Sequence, residues 1–153
     1  MSGLTAQDLY ATFQKYPFLL THFEGFHLPN TVNLSNLKDG NFCLIFLPHE
    51  KKSCHGHWNV IYKNYETIEH FDSLGYENAR HKRLFSNLRR THDVLSVLNP
   101  LQTNDETNCG HFCTFFIFHR LLNSDLDLIE LLEKLFPPSK KPGQIVNSFF
   151  KLL

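Results

Sequence analysis

The sequence predicts a small α+β domain in which a few strands form one mixed sheet and a cysteine-bearing helix packs against it. Three observations predict this. Strand-like runs at residues 42–47, 59–62 and 67–71 are separated by turn residues. A strongly apolar helical segment follows at residues 109–122 and opens on Cys109. The 153 residues make one domain's worth of chain, and 42% hydrophobic with 14% aromatic content is enough to bury a core. No internal repeat or second domain is evident, so residues 1–153 read as a single unit.

In chain order, residues 5–16 read as a helix, with Thr5 as cap, Asp8 completing a capping-box-like pair and Pro17 stopping it. An aromatic, irregular stretch runs to residue 37. The turn Lys38-Asp39-Gly40 precedes the continuous apolar run 42–47, a strand buried on both faces that Pro48 ends. The loop 51–56 leads to His57 and Trp58 and then a strand at 59–62. After a turn at Asn64, a second strand at 67–71 ends in Asp72-Ser73-Leu74-Gly75, and the two are expected to pair as a hairpin. Residues 77–91 read as a helix with a basic face (Arg80, Lys82, Arg83, Arg89, Arg90), and 93–98 as another strand. Asn99-Pro100 turns the chain toward Gln102. After the Cys109 helix, Ser124 and Asp127 are expected to form a capping box for an amphipathic helix through 135. Pro137, Pro138 and Pro142-Gly143 read as a linker, and 144–153 as a last helix.

The chemistry gathers around Cys109. A sulfur at a helix N-terminus sits where unpaired N–H groups and the helix dipole favour a thiolate. His57 is the candidate base, and a hairpin would bring Asp72 beside it at one edge of the sheet, to hold the ring through its other nitrogen. Gln102 would supply a neutral donor to an oxyanion, together with the Cys109 N–H. Trp58, Asn108 and Gly110 flank the histidine and the cysteine and are expected to contact substrate, Gly110 by letting a substrate backbone approach closely.

Composition limits the alternatives. Fifteen basic and fifteen acidic residues cancel, so the global field of a dedicated nucleic-acid binder is missing. The fifteen Phe are spread along the chain and read as core. There is no charged start followed by an apolar run, nor a stretch approaching membrane-span length. An intracellular chain is expected, with Cys43, Cys54, Cys109 and Cys113 as free thiols, and Cys43 and Cys113 buried.

The His57-Trp58 pair, the segment Phe71-Asp72-Ser73-Leu74-Gly75, and Gln102 seven positions before Cys109 in Asn108-Cys109-Gly110 resemble the adenain family of viral cysteine proteases. That family shares its fold with the Ulp-type, SUMO-specific proteases. The order His, acid, Gln, Cys is the family's, and residues 9–28, with Phe23-Glu24-Gly25-Phe26, are similar as well. The resemblance implies a cysteine endopeptidase with Cys109, His57, Asp72 and Gln102 as its site, acting on structural precursors during capsid maturation in the host nucleus, cytoplasm or virion. The acid here is Asp, as in the Ulp-type enzymes, where adenain has Glu. Residues 73–101 contain no cysteine, so a disulfide-tethered activating peptide is not implied, although a non-covalent peptide or nucleic acid is left open. A monomer without cofactor, acting on protein and not on membrane, is expected.

Two alternatives stand beside it. One is a protease for SUMO, ubiquitin or a relative, disfavoured by the short chain. The other is a non-catalytic interaction or metal-binding module, since Cys54, His55 and His57 cluster, as do Cys109, His111 and Cys113. Their spacings are tighter than those of zinc knuckles, and on a helix Cys109 and His111 point to different faces.

Overall fold

A computed structural model describes residues 3–48, 56–75, 79–86, 88–97, 99–103 and 108–153. Its centre is a five-stranded sheet in the order β1 (Phe23–His27), β2 (Phe42–Pro48), β3 (Gly56–Asn64), β4 (Thr67–Phe71), β5 (Asp93–Ser96). The β2–β3 and β3–β4 pairs are antiparallel, while β1 runs parallel to β2 and β5 parallel to β4. The sheet is therefore mixed, with the hairpin strand β3 at its middle.

Both faces of the sheet are covered, which is why β2 reads as an unbroken apolar run. Phe42 and Leu44 of β2, Trp58, Val60 and Tyr62 of β3, and Phe71 of β4 form the core of one face. Five helices, α1 (Ala6–Lys15), α2 (Pro17–His22), α4 (Cys109–Leu122), α5 (Leu128–Leu135) and α6 (Pro142–Leu152), supply apolar side chains to this core, whereas α3 (Ala79–Ser86) lies on the opposite side. Cys43, Ile45, Leu47, Ile61 and Ile68 point the other way and pack with Phe85, Leu88, Leu34 and Leu37.

Helix α4 is the central helix. Its residues from Cys109 to Ile117 are all buried. Phe116 stacks on Phe71 with centroids 4.4 Å apart. Near its other end, Arg120 grips Glu69 of β4 through two 2.8 Å hydrogen bonds, and also donates to the carbonyls of Asn123 and Leu126. The helix is thus fixed to the sheet by apolar contact along its length and by a buried ion pair near its C-terminus.

The expected strands and the α4 helix are present, with several corrections. The stretch read as irregular contains β1. Gly25 at φ 99° and a register shift between Phe23 and Phe26 break the two-residue alternation that marks a strand. Pro17 does stop α1, but it also opens α2 as its first residue, where a missing N–H costs nothing. The helix expected over 77–91 is α3 plus a 3-10 turn, Leu88–Arg90. The strand expected over 93–98 is the shorter β5. Asp127 alone caps α5, accepting from the Glu130 N–H at 2.8 Å, in place of the expected Ser124–Asp127 box. Pro142 begins α6, so the Pro-Gly pair read as linker belongs to the helix. The Thr5–Asp8 capping box forms as expected.

Candidate active site

The site lies where the start of β3, the turn after β4 and the N-terminus of α4 meet. It is at the end of the sheet's central strand and not, as the hairpin suggested, at an edge of the sheet. His57 is the second residue of β3, and Asp72 directly follows β4. His57 Nε2 and Asp72 Oδ1 are 2.6 Å apart. Asp72 Oδ1 also accepts from the Leu74 N–H at 2.8 Å, and the Asp72 carbonyl accepts from Gly75. The aspartate therefore shapes its own turn as well as binding the imidazole.

Cys109 is the first residue of α4, as expected, with Asn108 as its cap residue. The Trp58 N–H donates to Cys109 Sγ at 3.5 Å, and one turn later the Cys113 thiol donates to the Trp58 carbonyl at 3.3 Å. One β3 residue is thus held from both sides by two cysteines of α4, which places Cys109 beside His57. Cys109 lies close enough to the His57 ring to act on it electrostatically. With Nε2 bound to Asp72, the nitrogen left for sulfur is Nδ1.

The electrostatics follow from these contacts. Burial alone would pull the His57 pKa down, but the bond to the Asp72 carboxylate, its charge and the neighbouring Cys109 raise it to about 9. The other described cysteines are held as thiols. Burial pushes Cys43 up to about 12 and Cys113 well above its ordinary value.

Gln102 reaches the site by another route. The Leu101 and Gln102 N–H groups both donate to the Ser73 carbonyl at 2.8 Å, and the Ser73 hydroxyl donates to Gln102 Oε1 at 2.6 Å. The Ser73 bond fixes which way the Gln102 amide is turned. Gly75 permits this approach. It sits at φ 71°, and a Cβ there would lie 2.5 Å from the backbone of Asn99 and Pro100. Sequence reading gave Ser73 no role, and only its place between the acid and a turn glycine hinted at one.

The three flanking residues are placed differently from expectation. Gly110 is buried, and a Cβ on it would meet Leu4 Cβ at 3.1 Å and Leu9 Cδ2 at 3.5 Å. Its missing side chain makes room for the N-terminal segment, not for a substrate backbone. Trp58 is also buried: its ring packs on Phe26 and Phe46, and its Nε1–H donates to the Leu4 carbonyl at 2.9 Å. Asn108 is buried too, and its Oδ1 has no hydrogen-bond partner among the described residues. Among the described residues no three His, Cys, Asp or Glu side chains converge as metal ligands. Cys54 and His55, two of the three residues in one candidate cluster, lie outside them. No described helix is long and apolar enough to cross a membrane.

The α+β fold expected from the sequence is present, and it is shared with solved structures of a viral protease. The chain is similar to the crystal structure of the ASFV pS273R protease, with a TM-score of 0.62 and 17% identity over 95% of this chain. The selenomethionine form of that protease matches with a TM-score of 0.61, also at 17% identity and 95% coverage. The chain spans 66% and 65% of the lengths of those two chains, just under two thirds. No family model matches the sequence, and no curated protein sequence matches it.

Proposed function

We propose that this protein is a cysteine endopeptidase with Cys109 as nucleophile, His57 as base and acid, Asp72 as orienting carboxylate and Gln102 at the oxyanion. The observation that carries this reading is the linked set Cys109–His57–Asp72, with sulfur at a helix N-terminus and 2.6 Å between the imidazole and the carboxylate. His57 Nδ1 takes the Cys109 proton, and the thiolate attacks the scissile carbonyl carbon. The oxyanion that forms accepts from the Cys109 N–H, which has no intrahelical acceptor at the first helical position, and from the Gln102 amide. His57 then protonates the leaving amine as the C–N bond breaks, and an acyl-enzyme remains. A water, giving its proton to His57, releases the acid and restores the thiol.

The substrate class we propose is a structural precursor of a virus or virus-like element, supported by the likeness of the fold to a viral protease. The test incubates wild type, Cys109→Ala and His57→Ala with the capsid precursor encoded beside this chain, and with a folded ubiquitin-like fusion. The reading expects discrete cleavage of the precursor by wild type and a loss of at least about a thousandfold in both variants. Cleavage by Cys109→Ala would overturn the assignment of the nucleophile. Cleavage of the ubiquitin-like fusion alone would move the substrate class to the Ulp type.

A further inference from the structure

The His57–Asp72 pair is one end of a longer polar line across the sheet. Asn59, His70 and Asp72 are 0%, 1% and 0% exposed. His70 Nε2 is 3.0 Å from Asn59 Oδ1, and His70 Nδ1 is 3.1 Å from the hydroxyl of Ser96, its register partner on β5. With Nε2 facing the amide oxygen, that nitrogen is the donor of this pair.

The register supplies the geometry. Val60 pairs with Phe71 and Ile61 with His70, so the next rung sets Asn59 opposite Asp72 on the same face. A zigzag therefore runs from His57 to Asp72, Asn59, His70 and Ser96, passing between strands at each step. The steps His57–Asp72, Asn59–His70 and His70–Ser96 are hydrogen-bonded. At the remaining step, among the described residues, Asn59 Nδ2 and Asp72 Oδ2 are buried atoms with no direct partner. One is a donor and the other an acceptor. With the Asn59 amide oxygen on the His70 ring, its Nδ2 donor is the end left for an acceptor such as Asp72 Oδ2.

We propose that Asn59 is a positioning residue for Asp72, its Nδ2–H donating to Asp72 Oδ2 directly or through one buried water. The inference rests on the cysteine-protease reading and deepens it. Donation to the second oxygen fixes the carboxylate rotamer that His57 needs. The other titratable groups around Asp72 are His57, Cys109, Cys113 and, beyond Asn59, His70. His57 and the Leu74 N–H both use Oδ1, which leaves Oδ2 to Asn59.

The test is the rate of Cys109 alkylation by iodoacetamide between about pH 4 and 9, read by mass spectrometry on wild type, His57→Ala and Asn59→Leu, with folding checked by circular dichroism. Without the donor, the Asp72 carboxylate is free to turn away from the ring, and the imidazolium loses its counter-charge. The acid midpoint of the Asn59→Leu profile is expected to rise by about one pH unit. A purely structural role would lower the melting temperature and leave the midpoint in place, which would overturn the proposal. A wild-type profile unaffected by His57→Ala would overturn the protease reading, and the proposal with it. Should Asn59→Leu not fold, a high-resolution crystal structure of the wild type decides. Nδ2 about 3 Å from Asp72 Oδ2, or from a water bonded to it, supports the proposal, and Nδ2 on any other acceptor refutes it.

Discussion

At the residue scale, the contest at His57 is between burial, which favours the neutral ring, and its partners Asp72 and Cys109, which favour the cation. The partners win, and the pKa rises to about 9. Replacing Asp72 with Asn keeps an oxygen for the ring but removes the charge, so burial then acts against little opposition. In Asp72→Asn the His57 midpoint, followed by NMR of the ring, should fall to 6.5 or below, and Cys109 alkylation at pH 6 should slow by about tenfold or more. An unchanged midpoint would mean that Asp72 is not what holds the proton on the ring.

At the element scale, two devices fix the machinery in place. Arg120 is fully buried and paired with Glu69, which joins α4 to β4. Losing one partner strands the other charge in the core, so Arg120→Leu should cost about 3–5 kcal/mol in urea unfolding, and adding Glu69→Leu should recover most of it. If the single and double variants are equally destabilised, packing around Arg120 and not the ion pair holds the helix. The second device is the turn at Gly75. Gly75→Ala has to adopt a positive φ and push against the Asn99-Pro100 backbone, at a cost of at least about 2 kcal/mol. Because that backbone leads to Gln102, cleavage should fall further than the loss of folded protein explains.

At the scale of the whole molecule, the site is linked to stability through protons. The folded pKa of His57 lies above its ordinary value of 6.5, so folding takes up a proton between the two values. The stabilisation is complete below about pH 6.5 and is lost as pH rises through about 9, on the order of 3 kcal/mol in all. Urea titrations across that window should show this decline in wild type, and a much flatter curve in Asp72→Asn. Stability that rises with pH there would contradict the sign.

The sequence by itself determined several local matters: the runs that become β2 to β5, the Thr5–Asp8 cap, and Cys109 as the residue that opens the α4 helix. These depend on side-chain periodicity and capping within a few residues, so neighbouring letters carry them. The order of His57, Asp72, Gln102 and Cys109 was legible too, as a resemblance. Only the tertiary structure decided how they meet: that β3 is the central strand, that Ser73 binds Gln102, that Leu4 fills the space beside Gly110, and that Asn59 stands opposite Asp72. Each of these depends on register or on contact between residues far apart in the chain, and so on how strands pair and helices pack, which no local pattern encodes.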